Sequence, residues 1–266
     1  MSPLEAIELH CKELHLSTIS QALPEALTAA QQQEWPLESF LLYLLEQEVT
    51  RRQERRIERY LRDARLPPAK TLAHFDQKRL PLRLRRQIPG LAQGEFINQG
   101  ENVLIFGQPG TGKTHLASAL AFEWVQRGYR VFFSPTFKLV DGLLRAKRDY
   151  ELERELKRLD RFAVVILDDF GYVQQNREEM EVLFTFLAER YERRSVVITS
   201  NLVFSQWDQI FKDPLTTAAA IDRVVHHSRI IEFGSDMLSV RAEEAARRQQ
   251  QLAETAPTEQ NETRVG

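Results

Sequence analysis

Apolar positions at the start of the chain recur at the spacing of amphipathic helices. Four apolar residues among polar neighbours predict a helix over residues 3–20, and a second helix is predicted over 22–33. A longer helix is predicted over 37–65, with an apolar first half and a charged second half. Pro67-Pro68 ends it, because proline cannot continue the hydrogen-bond ladder of a helix. The pattern predicts a small all-helical N-terminal domain over residues 1–66.

After residue 100 the pattern changes to short apolar runs that alternate with amphipathic stretches. Strands are predicted at 102–106, 131–133, 163–167 and 195–199, with helices at 113–127, at 177–193 and between Thr136 and Leu159. This alternation predicts an α/β domain over 101–242, with a parallel sheet between helices. Residues 67–100 have a weak pattern and are interpreted as the linker that leads into this domain. Residues 243–266, which are poor in apolar side chains, are expected to form a disordered tail.

The composition favours a globular protein that works away from membranes. Apolar residues make up 42% of the 266 positions, which is enough for one large α/β domain and a small helical one. No apolar run approaches the ~18 residues of a membrane span, and the N-terminus lacks the form of a signal peptide. The single cysteine, Cys11, excludes an internal disulfide and suits a reducing compartment. We expect a cytoplasmic protein with no membrane partner.

The net charge of −2 conceals a strongly basic segment. Between Arg51 and Arg86 there are thirteen Lys or Arg residues and four acids, so the segment carries a net charge of +9. A basic helix of this kind either neutralises the phosphates of a nucleic acid or is an ordinary solvated face, and charge alone favours neither. The candidate DNA-binding residues on the third predicted helix are Arg51, Arg52, Arg55, Arg56, Arg59 and Arg62.

The most specific motif is a glycine-rich loop between the first predicted strand and the helix that follows it. It has the form G-x-x-x-x-G-K-[ST], and its residues are Gly107, Gln108, Pro109, Gly110, Thr111, Gly112, Lys113 and Thr114. Glycines let backbone N–H groups surround phosphate oxygens, and the helix N-terminus adds partial positive charge. In such a loop Lys113 reaches the β- and γ-phosphates and Thr114 ligates Mg²⁺. The motif therefore predicts binding of ATP with Mg²⁺.

Two acids follow the strand predicted at 163–167. All five residues of that strand are apolar, as in a strand buried on both faces, and Asp168-Asp169 come directly after it. Acids in this place either serve a magnesium site or cap the next helix. Combined with the phosphate loop, they predict that Asp168 holds Mg²⁺ through its water shell. Asp169 is then the residue that orients or deprotonates the attacking water.

Polar residues in the last part of the domain extend the candidate site. Asn201 follows the strand predicted at 195–199, where its amide lies either in the ligand crevice or in a turn. Arg223 either enters the nucleotide site of a neighbouring subunit or forms a surface ion pair with Asp222. His226-His227 are interpreted as a solvated helix end, because no cysteine or acid cluster stands at ligand spacing from them.

These motifs together resemble a known family. The segments that carry the resemblance are GQPGTGKTHLA at 107–117, LDDFGY at 167–172, TSN at 199–201, FSQW at 204–207 and IDR at 221–223. They look like the IstB proteins, ATPases encoded beside the transposase of certain bacterial insertion sequences. These belong to the branch of AAA+ proteins that also holds the helicase loader DnaC and the initiator DnaA. The resemblance covers residues 4–233.

The resemblance implies an AAA+ P-loop ATPase that assembles on double-stranded DNA as an ATP-dependent homo-oligomer. It further implies that the protein deforms the DNA and recruits or activates the transposase encoded by the same element. The site residues that it implies are Lys113 and Thr114 as the Walker A pair, His115 beside them, Asp168 and Asp169 as the Walker B pair, Asn201 as sensor 1 and Arg223 as an arginine finger acting across a subunit interface. Many AAA+ proteins have Asp-Glu where this chain has Asp168-Asp169.

Two other functions fit part of the sequence. A helicase loader similar to DnaC would favour single-stranded DNA, which calls for exposed aromatic residues as stacking platforms. Of the aromatic residues in the N-terminal domain, Trp35, Phe40 and Tyr43 are explained by packing, which leaves Tyr60. A small-molecule kinase would need a lid and an acceptor pocket, and the sequence between the Walker B acids and Asn201 resembles neither.

Overall fold

A computed structural model describes residues 2–171, 177–202, 206–207, 222 and 224–234. Arg223, Phe204, Ser205 and the predicted tail lie outside these described residues. The chain divides into two compact units between Arg62 and Asp63. Every helix in the described part is too short or too polar to cross a membrane.

The first unit is helical. Its helices are α1 (Pro3–Glu13), α2 (Ser17–Gln32) and α3 (Leu37–Ala64), the last of which runs past the division between the units. The prediction of one helix over 3–20 is wrong, because the chain turns at His15 with a φ of 57° and α2 begins directly afterwards. The predicted third helix is confirmed.

A buried carboxylate organises the small core of the first unit. The apolar core residues are Cys11, Ile19, Leu23, Ala26 and Leu44. Glu48 on α3 accepts the backbone N–H groups of Thr18 (2.8 Å) and Ile19 (3.2 Å) and the Nε–H of Arg52 (2.7 Å). Although burial raises the pKa of Glu48, these hydrogen bonds lower it below its usual value. Because α2 has no capping side chain of its own, Glu48 serves as the N-terminal cap of that helix.

The second unit contains a parallel five-stranded sheet. Its strands are β1 (Asn102–Phe106), β2 (Val131–Pro135), β3 (Val164–Asp168), β4 (Ser195–Ser200) and β5 (Ser228–Glu232), in the spatial order β2-β3-β4-β1-β5. The four predicted strands are confirmed. The sequence did not predict β5, in which only Ile231 is buried, so this edge strand lacks a recognisable apolar pattern. The pairing brings the carboxyl ends of β1, β3 and β4 to one edge of the sheet.

Helices cover both faces of the sheet. They are α4 (Leu82–Gln93), α5 (Glu95–Asn98), α6 (Lys113–Gln126), α7 (Thr136–Arg148), α8 (Leu152–Asp160) and α9 (Arg177–Arg190). Side chains of α7, α8 and α9 form one apolar cluster with alternate residues of the strands. Helix α6 contacts β1, β2 and β4 from the other face, and the indole N–H of its Trp124 donates to the carbonyl of Leu91 on α4 (2.8 Å). Residues 67–100, interpreted from sequence as a linker, thus contribute packed helices.

A buried arginine joins the last turn of α9 to the strands beside it. The guanidinium of Arg190 donates to the carbonyls of Leu159 (3.1 Å), Phe162 (3.0 Å), Ala163 (3.3 Å) and Ser195 (3.0 Å). Burial lowers the pKa of Arg190 to about 9, at which the group remains charged at neutral pH. Four carbonyl dipoles therefore compensate one buried cation, and in doing so they fix the starts of β3 and β4.

Replacing Arg190 with methionine should destabilise the second unit. The change keeps an apolar stem of similar length but removes the guanidinium donors from four carbonyls, of which those of Leu159 and Ala163 keep a backbone donor. We expect the free energy of unfolding to fall by about 3 kcal/mol. Urea unfolding followed by tryptophan fluorescence measures this, since Trp124 and Trp207 are both fully buried in this unit.

Arg145→Met is the matched control for this change. Arg145 is exposed, and among the described residues its one ion-pair partner is Asp141, one helical turn away (2.7 Å), so its loss should change stability by at most about 0.5 kcal/mol. Equal stabilities for the two variants would contradict the assigned role of Arg190.

Candidate nucleotide site

The phosphate loop lies between β1 and α6, at the carboxyl edge of the sheet. Its first residue, Gly107, has a φ of 156°, and a Cβ there would come within 2.6 Å of the Cβ of Phe233. Only glycine permits this close approach. The N–H of Gly107 donates to the carbonyl of Ser200 (3.2 Å), which ties the loop to the end of β4.

The lysine of the loop is held inside it. Lys113 is only 6% exposed, and its Nζ donates to the carbonyl of Gln108 (2.9 Å). The hydroxyl of Thr111 donates to the same carbonyl (2.9 Å). The ammonium group therefore stands at the N-terminus of α6, where the helix dipole and backbone N–H groups favour an anion. This arrangement fits the terminal phosphates of a nucleotide.

Asp168 is a buried carboxylate at the end of β3. Burial raises its pKa above the usual value, and the negative charge of Asp169 acts in the same direction. Hydrogen bonds from the hydroxyls of Thr199 and Thr114 and the charge of Lys70 oppose the rise. A carboxylate and a threonine hydroxyl in contact provide the oxygen ligands that Mg²⁺ prefers, so the two residues predicted for the metal fit it.

Thr199 connects the two acids. Its hydroxyl donates to Oδ1 of Asp168 (2.6 Å) and accepts the backbone N–H of Asp169 (3.0 Å), and the residue is fully buried. Asp169 has a left-handed backbone, with a φ of 57°, and an exposed side chain. Aspartate adopts this conformation more readily than most residues, which gives a physical reason for the shorter acid at this position. Sequence reasoning missed Thr199, although it is a hydroxyl residue at the end of an apolar strand.

Asn201 follows β4 at the same edge. Its Oδ1 atom is buried and has no hydrogen-bond partner among the described residues. A buried acceptor without a partner costs about 1–3 kcal/mol, so the atom is suited to a donor that arrives with a ligand. A water molecule can supply that donor, whereas a phosphate oxygen cannot; the amide nitrogen of Asn201 is the group suited to phosphate.

A segment over residues 70–75, here called the strap, lies against the phosphate loop. Nε2–H of His115 donates to the carbonyl of Thr71 (3.2 Å), and the ring of Phe75 packs edge-on against His115, with centroids 5.1 Å apart. The Phe75 ring also lies 3.3 Å from the position of a Cβ at Gly112. Burial lowers the pKa of His115 below its usual value, and the hydrogen bond to the Thr71 carbonyl offsets only part of this fall. The lowered pKa favours the neutral imidazole. The strap lies in the segment with the weakest sequence pattern, so no sequence signal indicated it.

The structure therefore brings the predicted Walker A residues, the Walker B residues and Asn201 together at one edge of the sheet. The arginine-finger candidate, Arg223, falls outside the described residues. The six arginines of the predicted DNA surface are all exposed on α3. Three of them already have hydrogen-bond partners in the first unit: Arg51 with Glu54 (2.8 Å), Arg52 with Glu48 (2.7 Å) and Arg55 with Ser17 (3.2 Å). The guanidinium of Arg59 lies over the ring of Tyr60, 5.6 Å from its centroid.

Comparison with known proteins agrees with this geometry. The family model described as IstB-like ATP binding protein matches residues 9–247. An insertion-sequence ATP-binding protein of Sinorhizobium fredii is 41% identical over 237 residues, which span 89% of this chain and 80% of that protein. The insertion sequence IS21 ATP-binding protein of Pseudomonas aeruginosa is 39% identical, over 88% of this chain and 87% of its own length.

Solved structures show the same fold at low identity. DnaI has a TM-score of 0.54 at 21% identity, covering 64% of this chain and 96% of DnaI. AMPPCP-bound DnaA from Aquifex aeolicus has a TM-score of 0.52 at 20% identity, covering 73% and 59% of the two chains. The α/β unit is thus an AAA+ P-loop NTPase fold, and the chain belongs to the IstB-like family of insertion-sequence ATP-binding proteins.

Proposed function

We propose that this protein is an ATP-hydrolysing helper of DNA transposition. It binds double-stranded DNA as an ATP-dependent homo-oligomer, deforms the DNA, and recruits or activates the transposase encoded by the same element. One observation supports the proposal above all: Lys113, Asp168 and Asn201 lie at the same edge of the sheet. The chain that carries them belongs to the family of insertion-sequence ATP-binding proteins. We infer that an activity on DNA with this transposase takes place in the bacterial cytoplasm.

Each residue of the site has a defined task in hydrolysis. Lys113 binds the terminal phosphates, and Thr114 and Asp168 would hold Mg²⁺. When bound, Mg²⁺ neutralises charge on the phosphate oxygens. Oδ1 of Asn201 orients the attacking water, and the exposed carboxylate of Asp169 accepts its proton as the water oxygen bonds to the γ-phosphorus. The bond from that phosphorus to the β,γ-bridging oxygen breaks, and ADP leaves. An arginine from a neighbouring subunit, for which Arg223 remains the candidate, stabilises the charge that develops on the γ-phosphate.

The proposed DNA-binding surface contains fewer arginines than the six that the sequence suggested. Arg56, Arg59 and Arg62 are exposed, and no ion pair occupies them in the described part of the chain. They are three residues apart along α3, so they follow one side of the helix. Arg51, Arg52 and Arg55 instead donate hydrogen bonds within the first unit. Contacts from such a row to DNA phosphates carry little sequence preference.

Asp169→Asn should separate nucleotide binding from hydrolysis. Asparagine accepts the left-handed backbone at this position but cannot take up a proton, so ATP affinity should stay near wild type while kcat falls roughly 10²–10⁴-fold. Lys113→Ala should instead weaken ATP binding itself. Fluorescent-nucleotide titration and phosphate-release assays measure the two quantities. Asp149→Asn, an exposed position at the end of α7, is the control; if Asp169→Asn hydrolyses ATP as fast as this control, the proposed base is wrong.

Thr199→Val tests the link between the two Walker B acids. The variant keeps the side-chain shape but removes the hydroxyl that lowers the pKa of Asp168, so this pKa should rise further. Because Asp168 must be ionised, the acidic limb of the pH–rate profile should move to higher pH, and kcat should fall about tenfold or more. Thr199→Ser retains the hydroxyl, so its acidic limb and its kcat should both be close to those of wild type. A Thr199→Val enzyme whose acidic limb coincides with that of wild type would refute the role.

Salt dependence of DNA binding tests the arginine row. Replacing Arg56, Arg59 and Arg62 together with glutamine should weaken binding to duplex DNA with ATP present. It should also reduce the slope of log K against log salt by roughly 2–3, because about one ion is released per phosphate contact.

Arg145, Arg154 and Lys157, which are exposed but ion-paired in the second unit, provide a matched triple control. An unchanged slope would remove the row from the DNA surface, and a clear preference for single strands would favour the helicase-loader function instead.

A further inference from the structure

We propose that Glu192, His226 and His227 form a binding site for a divalent transition-metal ion, of which Zn²⁺ is the best match. Each residue offers one ligand atom, and these atoms all lie within 4.8 Å of one another. Sequence reasoning treated the two histidines as a solvated helix end because no acid cluster stood near them in the chain. The fold supplies the missing carboxylate from the turn between α9 and β4.

The side chains of the cluster are already in contact. Nε2 of His227 lies 3.1 Å from Oε1 of Glu192, and the two imidazole rings have centroids 4.2 Å apart. Nδ1 of His226 lies 3.2 Å from the phenol oxygen of Tyr191. A hydrogen bond to one ring nitrogen fixes the tautomer of a metal-binding histidine and directs the other nitrogen to the ion. Tyr191 thus leaves Nε2 of His226 available as the ligand atom.

The backbone that carries these residues is anchored at the amino edge of the sheet. Asn102, at the start of β1, donates its N–H to the carbonyl of His227 (2.7 Å) and its Nδ2–H to that of Val224 (3.1 Å). Its Oδ1 accepts the N–H of Val196 on β4 (2.9 Å). One buried side chain therefore ties the histidine segment to both β1 and β4. Metal sites bind more tightly when their ligands are held in place in this way.

A glycine lets the acidic ligand reach the histidines. Gly100 has a φ of 68°, and a Cβ there would lie 3.1 Å from the carbonyl carbon and oxygen of Glu192. Glu192 itself has a φ of 56°. The turn after α9 thus packs closely on Gly100, two residues before β1. In the sheet, β1 lies between β4, which follows Glu192 in the chain, and β5, which follows the two histidines. The left-handed backbone of Glu192 is a strained conformation that this packing maintains.

The charges around the cluster permit a cation. Arg193 and Arg194 are next to Glu192 in the chain, but both pair with Asp160, at 3.3 and 3.9 Å, and Arg193 also pairs with Glu189 (3.5 Å). Two imidazoles and one carboxylate are a known ligand set for zinc, with a fourth position open to water or another ligand. Tetrahedral bonds of about 2.0–2.1 Å require the ligand atoms to approach to about 3.3 Å, which exposed side chains can do by rotation.

Zinc titration of the untagged full-length protein, without nucleotide and against a chromophoric chelator, tests the site. Wild type should bind one Zn²⁺ per chain, and Glu192→Gln and His227→Gln should each weaken binding by about tenfold or more. Zn²⁺ should raise the Tm of wild type more than that of either variant, since an ion that binds only the folded chain stabilises it. With Co²⁺, wild type should show the intense visible bands of a four-coordinate ion.

His10→Gln is the matched control for the titration. His10 is exposed and lies 3.1 Å from Glu13, the same separation as His227 and Glu192, but it belongs to no three-ligand group among the described residues. Its loss should leave Zn²⁺ binding unchanged. The proposal is overturned if wild type binds Zn²⁺ no more tightly than the Glu192→Gln variant, or if His10→Gln weakens binding as much as His227→Gln does. Circular dichroism without metal establishes that each variant is folded.

Discussion

The buried carboxylate of Asp168 is the constraint on which the nucleotide site depends. A charged group removed from water must be compensated, and here the compensation comes from three separate parts of the unit. Thr199 supplies a hydroxyl from the neighbouring strand, Thr114 supplies one from the first turn of α6, and Lys70 contributes its charge from the strap. Burial still raises the pKa of Asp168, so these groups compensate the buried charge only in part. The same groups surround the position where phosphate and metal charges would be held.

The parts of the fold that were predictable are those in which local pattern and tertiary role agree. Strands β1, β3 and β4 are buried at every residue, and apart from Asn102 at the start of β1 and Asp168 at the end of β3 they consist of apolar or hydroxyl-bearing residues. The phosphate loop was predictable because the loop conformation itself requires particular residues. In contrast, β5 buries a single side chain and pairs with β1 along its whole length. No property of its own five residues distinguishes it from a loop.

The site residues that sequence reasoning missed all depend on contacts between distant segments. The strap reaches the phosphate loop through His115 and Thr71, which are 44 positions apart. The carboxylate of Glu192 meets His227 across 35 positions. Spacing rules describe ligands within one element or across one turn, so they cannot detect sets that the sheet order assembles. The same reason explains the arginines of α3: charge indicates a basic face, but only the structure separates those that bind their own unit from those that remain available.

Strand β5 runs from the amino edge of the sheet, beside the histidine pair, to the carboxyl edge, beside the phosphate loop. Its amino end follows directly on His226-His227, and just beyond its carboxyl end the N–H of Phe233 donates to the carbonyl of Phe106 (2.8 Å). The same Phe233 makes the close approach that requires glycine at position 107. A shift of β5 along β1 would therefore break contacts at the phosphate loop and at the histidine pair together. Because β5 is an edge strand with little buried area, its position depends on its pairing with β1 and on the contacts at its two ends.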